Sequence, residues 1–272
     1  MSVRARLERY GLAPSKARGQ NFLASSKTAS RIVELTDIQG DDAAVEVGPG
    51  LGDLTREIAQ RARRVIALEI DRGLIQLLAD AELPPNVEVR HQDVLKADLG
   101  GISRELGSPT VLIGNLPHVI AGRFIGTLLG PRTPFRRWGF MLQSEVAERV
   151  IAEPDSPGYG PLAVWTRIWT QAEIVLELSP DEFVPKPKVR SSFVVFEPRP
   201  DPPAIADVPL LRELVRTSFQ HRRKTLRAAL RKRIPEIEAA LEASGVDSQR
   251  RAETLDPDEF IKIVLELSQI RS

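Results

Sequence analysis

Short strand-like runs alternate with helix-favouring stretches along the first 142 residues, and this alternation limits the fold more than any other feature of the chain. The runs lie at 43–47, 64–68, 87–91, 110–113 and 138–142, and the one at 110–113 is apolar and rich in β-branched residues. Helical patterns occupy the intervals, for example 25–37 and 53–61. Strands that alternate with helices form parallel sheets covered on both faces. The sequence therefore predicts an α/β fold.

The pattern changes after residue 171. Two strand-like runs, 172–178 and 191–196, have only a loop between them, which predicts antiparallel strands at the edge of the sheet. A proline-rich stretch follows, and then segments that read as helical at 208–219, 223–231, 234–243 and 256–267. We expect a basic N-terminal arm with a closing segment (1–24), a Rossmann-like domain (25–197), a linker (198–207) and a small helical domain (208–272).

The composition excludes several classes of protein. The 272 residues include no cysteine, which removes disulfides and thiolate metal sites, and the three histidines, His91, His118 and His221, are too scattered for a metal site. No stretch of 18 uncharged apolar residues is present, and the basic N-terminus lacks the apolar core of a signal peptide. We expect a cytoplasmic protein without a metal.

A net charge of +1 conceals two basic segments. Between residues 212 and 233 nine basic residues face one acid, Glu213, and the N-terminal segment holds Arg4, Arg6, Arg9, Lys16 and Arg18 against Glu8. A charge run often forms only a solvated helix face. Two runs on either side of a candidate base-binding site favour a polyanionic partner.

Polar residues follow four successive strands. The turn from Glu46 through Gly48 and Gly50 to Gly52 differs from the dinucleotide fingerprint in its spacing, and its proline lacks a donor for a pyrophosphate. Glu69 ends the second strand, where an acid can bind a ribose, and Asp93 follows the third, where it could accept from an adenine amine. Each feature alone also fits an ordinary turn or helix cap. Together they predict a site for an adenosine with a non-phosphate tail, and S-adenosylmethionine is the obvious candidate.

The tetrapeptide after the fourth strand adds a second element to this site. Asn115 supplies a side-chain amide, Leu116 a backbone carbonyl and His118 a flat ring, while Pro117 holds the chain extended. These groups could bind the exocyclic amine of a planar base by hydrogen bonds and stacking, although an Asn before a Pro is also common in turns.

An ordered series of motifs resembles one known family. The motifs are GQNFL (19–23), EVGPG (46–50), EID (69–71), QD (92–93), GNLP (114–117), FMLQSEV (140–146), YG (159–160) and FVPKPKV (183–189). They are similar to the ribosomal RNA adenine N6-dimethyltransferases of the KsgA type, which act on small-subunit rRNA, and RRKTLR (222–227) resembles that branch in particular. The related Erm enzymes act on large-subunit rRNA.

This resemblance implies a class I methyltransferase fold, a seven-stranded sheet with a reversed last strand, followed by a small helical domain. It implies S-adenosylmethionine as cofactor, small-subunit rRNA or a small-subunit precursor as partner, and a monomer. The implied cofactor residues are Gln20, Asn21, Leu23, Glu46, Gly48, Gly50, Glu69, Ile70, Asp93, Val94 and Asn115. The implied catalytic residues are Asn115, Leu116, Pro117, His118 and Phe183, with Phe183 stacking on the target adenine. The implied RNA contacts are Lys186, Lys188, Arg222, Arg223, Lys224 and Arg227.

The chain departs from the family at position 118, where Tyr or Phe is usual. Imidazole is a smaller stacking surface and gains charge in mildly acidic solution. Two alternatives therefore remain beside a small-subunit dimethyltransferase: an Erm-like enzyme, against which the 222–227 run argues, and an assembly factor with weak or no catalysis.

Overall fold

The computed structural model describes residues 1–15, 18–107, 109–221 and 223–271. Strands are β1 (Phe22–Leu23), β2 (Ala43–Val47), β3 (Arg64–Glu69), β4 (Val87–His91), β5 (Thr110–Asn115), β6 (Arg137–Gln143), β7 (Thr170–Leu178), β8 (Phe183–Val184) and β9 (Ser191–Pro198). Seven of them form one sheet in the order β4-β3-β2-β5-β6-β9-β7, and β1 pairs with β8. All five strands predicted in the first 142 residues are present.

The sheet is parallel except at one strand. β2 pairs in parallel with β3 and with β5, so the chain reverses its direction of travel across the sheet between these two neighbours. In open α/β sheets the carboxyl ends of strands at such a switch point hold the ligand. β9 runs antiparallel to β6, with Gln143 opposite Ser191. The predicted seven-stranded sheet with a reversed last strand is confirmed.

Helices accompany the strands in the predicted alternation. They are α1 (Val3–Arg9), α2 (Ser26–Thr36), α3 (Asp53–Ala59), α4 (Arg72–Ala79), α5 (Leu99–Leu106), α6 (His118–Leu128), α7 (Ser144–Ile151), α8 (Pro161–Trp169), α9 (Val208–Gln220), α10 (Leu226–Leu230), α11 (Ile237–Ala243) and α12 (Pro257–Arg271). Both sheet faces are buried: Ile113 and Met141 belong to the core on one face, and Trp138 and Phe196 stack at 5.8 Å on the other.

The contacts within the chain divide it into two compact units. The first comprises Met1–Leu128, Arg132–Ala147 and Ala172–Pro198, and the second comprises Leu129–Pro131, Glu148–Gln171 and Arg199–Ser272. The second unit thus includes 148–171, which the sequence-based segmentation assigned to the sheet domain. Its own contacts show why: the Tyr159 hydroxyl donates to the Leu255 carbonyl at 2.7 Å, and the Tyr159 ring lies 5.9 Å from that of Phe219.

Two predicted segments differ in detail from the structure. The N-terminal segment, expected as a basic arm, contains α1, whose Val3 and Leu7 are buried with Leu51 and Leu74. The helix expected at 223–231 begins only at Leu226, because Thr225 is extended and its hydroxyl accepts from the Ala228 N–H at 3.3 Å. No helix in the described ranges has the length and apolarity that a membrane span requires.

Candidate active site

A cavity of about 320 Å³ lies at the carboxyl ends of β2, β3, β4 and β5. Its walls include Gly48 and Gly50 after β2, Glu69 at the end of β3, Asp93 after β4, and Asn115 at the end of β5. The structure therefore brings together the four strand-end features that the sequence singles out. Its volume lies within the range of small-molecule sites, roughly 300 to 1,000 Å³.

The glycine-rich turn forms the floor of this cavity. Gly48 and Gly50 have φ angles of +69° and +58°, and a Cβ on Gly50 would lie 2.9 Å from Phe22 Cδ1. A side chain at position 50 would therefore be strained and crowded. The Gly50 N–H donates to Glu69 Oε2 at 3.3 Å, and Pro49 has no N–H. The Gly48 and Gly52 N–H groups donate to the Leu68 and Pro49 carbonyls at 2.9 and 2.8 Å, so the three glycine N–H groups of the turn already have partners.

Glu69 is held in one orientation by backbone amides. Its Oε1 accepts from the Ile70 and Asp71 N–H groups at 2.9 and 2.8 Å. Its side chain is 5% exposed. Burial raises the pKa of Glu69 above its ordinary value, although hydrogen bonds from Asp71, Gly50 and Ile70 lower it. The carboxyl group lines the cavity as a fixed acceptor for hydroxyl groups.

Glu46 is a buried carboxyl group without a hydrogen-bond partner among the described residues. It is fully buried in β2, yet it lines the cavity. The pKa of Glu46 is raised to about 8, chiefly by burial and to a smaller extent by the charges of Glu69 and Asp53, while Thr55 lowers it in part. The Thr55 hydroxyl is also unpartnered, so the two groups are close but outside hydrogen-bond geometry. A buried unpaired acid is costly, and a cation in the cavity would compensate it.

A strap formed by residues 18–23 joins the two sides of the cavity. At one end the Arg18 guanidinium pairs with the Asp71 carboxylate, and Gln20 Nε2 donates to the same carboxylate at 3.1 Å. At the other end Asn115 Nδ2 donates to the Asn21 carbonyl at 2.7 Å. The family resemblance implied Gln20 and Asn21 as closing residues, but it did not indicate Asp71, two positions after Glu69, as the anchor of Arg18 and Gln20.

Apolar side chains flank the polar groups. Ile70 is 50% exposed and Val119 65% exposed, and both line the cavity together with the buried Val94 and Leu23. Asp93 Oδ1 accepts from the Leu95 N–H at 3.0 Å, which fixes the loop that carries Val94. Exposed apolar groups at a cavity wall suit a flat ring. The sequence does not indicate Val119, because an apolar residue after the 115–118 tetrapeptide reads as the start of a helix face.

A second, smaller cavity adjoins the first at Asn115, with a volume of about 30 Å³. Leu116, His118 and Phe183 line it as well. Asn115 Oδ1 and the Leu116 carbonyl accept no hydrogen bond from the described residues, while the Leu116 N–H donates to the Met141 carbonyl at 3.2 Å. Two acceptors are thus left free, one on Asn115, which lines both cavities, and one on Leu116, which lines the small cavity.

The two rings predicted to stack on a base differ in their surroundings. His118 begins α6, is exposed, and its Nδ1 lies 3.2 Å from the position of a Cβ on Gly19. Phe183 is only 2% exposed and belongs to the core cluster with Leu23, its partner across β1 and β8. Most of the Phe183 ring is therefore packed in the protein, and only part of it borders the small cavity.

The predicted RNA contacts lie on exposed segments. Arg223 and Lys224 are exposed and form no ion pair with the described part of the chain, whereas Arg227 pairs with Glu238 at 2.8 Å. Lys186 pairs with the Asp181 carboxylate, and Lys188 is exposed. Arg222 lies outside the described residues.

Part of the N-terminal basic set serves internal contacts. Arg6 Nη1 donates to Asp53 at 3.0 Å, and Arg18 anchors the strap, so neither is free for a polyanion. Arg4 and Arg9 remain exposed. The described ranges contain no group of three or more His, Asp or Glu side chains that could hold a metal.

The large cavity fits S-adenosylmethionine. The buried Glu46 carboxyl group has no hydrogen-bond partner among the described residues and would be stabilised by a cation, which the sulfonium centre of this cofactor provides. The Gly50 N–H donates to Glu69 and is not available to a phosphate. Fixed acid groups and exposed apolar side chains lie in the same cavity and have the chemistry that a nucleoside requires. This cavity and the sheet with its reversed strand define a class I methyltransferase that uses S-adenosylmethionine.

Comparison with known proteins narrows the class to one family. The sequence model for ribosomal RNA adenine dimethylases matches residues 14–269, and the chain belongs to this family. The ribosomal RNA small subunit methyltransferase A of Geobacillus kaustophilus is 41% identical over 269 residues, 94% of this chain and 92% of that protein. The protein is therefore an RNA adenine methyltransferase.

Solved structures agree with this assignment. A dimethyladenosine transferase from Plasmodium falciparum superposes with a TM-score of 0.79 at 24% identity, covering 91% of this chain and 98% of that one. The 23S rRNA methyltransferase ErmE gives a TM-score of 0.66 at 28% identity, covering 92% and 100%. The former shows the shared fold, and the latter shows that Erm enzymes are related.

Replacement of Glu46 by Gln is expected to stabilise the ligand-free protein at alkaline pH. An acid whose pKa rises from 4.5 to about 8 on folding gives its full stability below 4.5 and loses it as the pH rises through 8. Because Gln has no charge to bury, the melting temperatures of parent and variant should coincide at acidic pH and diverge in favour of the variant at alkaline pH. Thermal unfolding across this range measures the difference.

The affinity of the parent protein for S-adenosylmethionine should rise with pH, whereas its thermal stability relative to Glu46→Gln should fall. A cation favours the ionised Glu46, so the affinity of the parent for S-adenosylmethionine should rise with pH more steeply than that of Glu46→Gln. Calorimetry at several pH values compares the two slopes, and the variant corrects for titration of the cofactor itself. Equal slopes, or equal melting temperatures at alkaline pH, would show that Glu46 is not the responsible group.

Proposed function

We propose that the protein dimethylates N6 of two adjacent adenosines in a loop near the 3′ end of small-subunit (16S) rRNA, as a step of ribosome biogenesis in the cytoplasm. The observation that supports this most directly is the pair of free acceptors, Asn115 Oδ1 and the Leu116 carbonyl, since Asn115 lines both cavities and Leu116 lines the small one. An amine placed there has both hydrogens bound and its nitrogen directed at the large cavity.

Residues of the large cavity would hold the cofactor. Glu69 would accept from the ribose hydroxyls and Asp93 from the adenine amine, between the apolar Ile70 and Val94. Gln20, Asn21 and Leu23 would close over the methionine part from the strap, with Gly48 and Gly50 beneath it. When bound, the cofactor supplies a methyl group on a positively charged sulfur.

The protein's own contribution to the reaction is orientation. An adenine N6 lone pair is delocalised into the ring and is a weak nucleophile. For the first methyl group, acceptance of both N6 hydrogens by Asn115 Oδ1 and the Leu116 carbonyl draws the nitrogen toward tetrahedral geometry and localises the lone pair. For the second, the one remaining N6 hydrogen is accepted by one of these groups, and in each transfer the nitrogen loses its displaced proton to water. Pro117 holds the Leu116 carbonyl in place, because its ring restricts the backbone on both sides. No strong base is required.

The base must leave its stack to reach this position, and rings in the small cavity offset that cost. His118 offers an exposed ring on one side, and Phe183 borders the other. The exposed cations Arg223 and Lys224 in the second unit, and Lys186 and Lys188 in the first, would bind phosphates, which gives affinity without reading the sequence. We expect a monomer to carry out these steps on a small-subunit precursor.

The substrate can be tested directly. The protein is incubated with labelled S-adenosylmethionine and small-subunit particles that lack the modification, beside large-subunit RNA, and the labelled adenines are mapped. We expect label at two adjacent adenines of the small-subunit RNA. Label confined to large-subunit RNA would overturn the proposed substrate, and no label on either would favour an assembly factor.

Replacement of His118 by Tyr is expected to raise kcat/KM for RNA about 3- to 10-fold, because a larger aromatic ring stacks more strongly on the base. His118→Ala should lower it, and neither change should alter cofactor affinity, since His118 does not line the large cavity. Steady-state methylation with the same RNA gives the comparison. If Tyr leaves the rate unchanged or lowers it, His118 is not a weak stacking residue.

A further inference from the structure

One face of the sheet ends in three polar residues. Strand side chains alternate between faces, so Asn115 shares the face of Ile113, and Gln143 shares that of Met141. The register aligns Asn115 with Met141 and Gln143 with Ser191, which places all of these on one side of the sheet. The core residues of this face are buried. Beyond them, Asn115, Gln143 and Ser191 line the small cavity together.

The side chains of Gln143 and Ser191 have no hydrogen-bond partner among the described residues. Neither the Gln143 amide nor the Ser191 hydroxyl forms a hydrogen bond with the described residues, whereas the adjacent Ser144 and Ser192 hydroxyls bond to each other at 3.1 Å. Both unpartnered residues are half-buried. A half-buried amide that a ligand can reach gains most from a ligand that supplies the missing partner.

The groups around the small cavity match one edge of adenine. Asn115 Oδ1 and the Leu116 carbonyl are acceptors, and the Gln143 amide supplies a donor beside them. The Watson–Crick edge of adenine carries an amine with two hydrogens and the acceptor N1. Bases flipped into a pocket are read along this edge. Cytosine has a similar edge, so selection against it rests on ring size and stacking.

We propose that Gln143 recognises the target base by donating its side-chain N–H to adenine N1, with Ser191 beside it as a second polar group at the edge of the slot. This inference rests on the proposed function, since it assumes that the base enters the small cavity. A volume of about 30 Å³ is that of roughly one water, so a purine enters only when the cavity walls separate. Gln143 and Ser191 are paired strand residues, and they form the fixed wall.

Paired changes in enzyme and base test the hydrogen bond. Gln143→Met keeps the length of the side chain but removes the donor, and 1-deazaadenosine at the target position removes the acceptor. We expect each change alone to lower kcat/KM for RNA roughly 10-fold or more. The two changes together should lower it no further than either one alone, because they remove the same interaction. Single-turnover methylation of matched RNA substrates provides the four rates.

Controls separate failure of this inference from failure of the function. Cofactor affinity of Gln143→Met should equal that of the parent, which shows an intact fold, and Gln76→Met, at an exposed position on α4, should behave as the parent does. Full activity of Gln143→Met, or multiplicative losses in the double change, would overturn the recognition role. If the parent methylates no adenosine in rRNA, the proposed function fails instead.

Discussion

Asn115→Ala is expected to lower kcat for RNA methylation by about 100- to 1,000-fold, the scale associated with loss of one preorganised group at a reacting centre. The variant loses the Oδ1 acceptor that borders both cavities and the hydrogen bond from Nδ2 to the Asn21 carbonyl. Single-turnover rates at saturating cofactor and RNA measure the chemical step, and calorimetry measures cofactor binding separately.

A matched substitution tests whether the loss reflects stability alone. Asn86 lies at the opposite end of the sheet and donates to the Ala59 and Ala62 carbonyls at 2.9 and 3.0 Å. Asn86→Ala should lower the melting temperature yet retain kcat in the folded protein. The assignment of Asn115 would be wrong if Asn115→Ala lost less than about 10-fold, or if weaker cofactor binding explained the whole loss.

Neutralising Arg222, Arg223 and Lys224 to Gln should weaken rRNA binding by about 10- to 100-fold at moderate salt. Each phosphate contact releases counterions, so the slope of log affinity against log salt concentration should fall by about one for each contact removed. Arg223 and Lys224 are exposed and have no carboxylate partner in the described ranges, which leaves their charge available. Filter binding across a salt series gives both values.

A charge-matched control uses three arginines that already have partners. Arg64 and Arg90 pair with Glu88 and Glu105, and Arg104 lies 3.6 Å from Asp98. Changing these three to Gln alters the net charge by the same amount but should leave the salt slope nearly intact. Equal slopes for both triple variants would mean that the 222–224 cluster does not hold the RNA and that only overall charge matters.

The sequence predicted the sheet and the position of the site because both depend on local patterns. The strands β2, β3 and β5 are short, largely apolar runs, β4 alternates Val87 and Val89 with polar residues, and Glu69, Asp93 and Asn115 are found where such strands end. The same rule extended by one strand would have found Gln143, the last residue of β6. The prediction of antiparallel strands at the sheet edge did not specify their order, and only the structure shows that β9 lies between β6 and β7.

Features that depend on contacts between residues far apart in the sequence could not be predicted from local patterns. The anchor of the strap joins Gln20 to Asp71, 51 positions away. No local sequence pattern indicates that these two residues form a pair. Burial of Phe183 follows from the pairing of β1 with β8, two strands of two residues each, which are too short to show a period. The roles of Arg6 and Arg18 were hidden for the same reason, because a count of charges does not show which of them are already paired.

In the proposed function, the hydrogen bond from Asn115 to the strap would also influence which bases can react. Rotation of the amide by half a turn would set two oxygens against each other at the 2.7 Å that now separates Nδ2 from the Asn21 carbonyl. The amide is thus held in one orientation, with Oδ1 turned away from the Asn21 carbonyl, and Asn115 and Leu116 both line the small cavity. Uracil O4 and guanine O6 would bring a third acceptor to the two that Asn115 and Leu116 supply. By fixing the Asn115 amide, the strap would therefore also disfavour a base edge that ends in oxygen before methyl transfer begins.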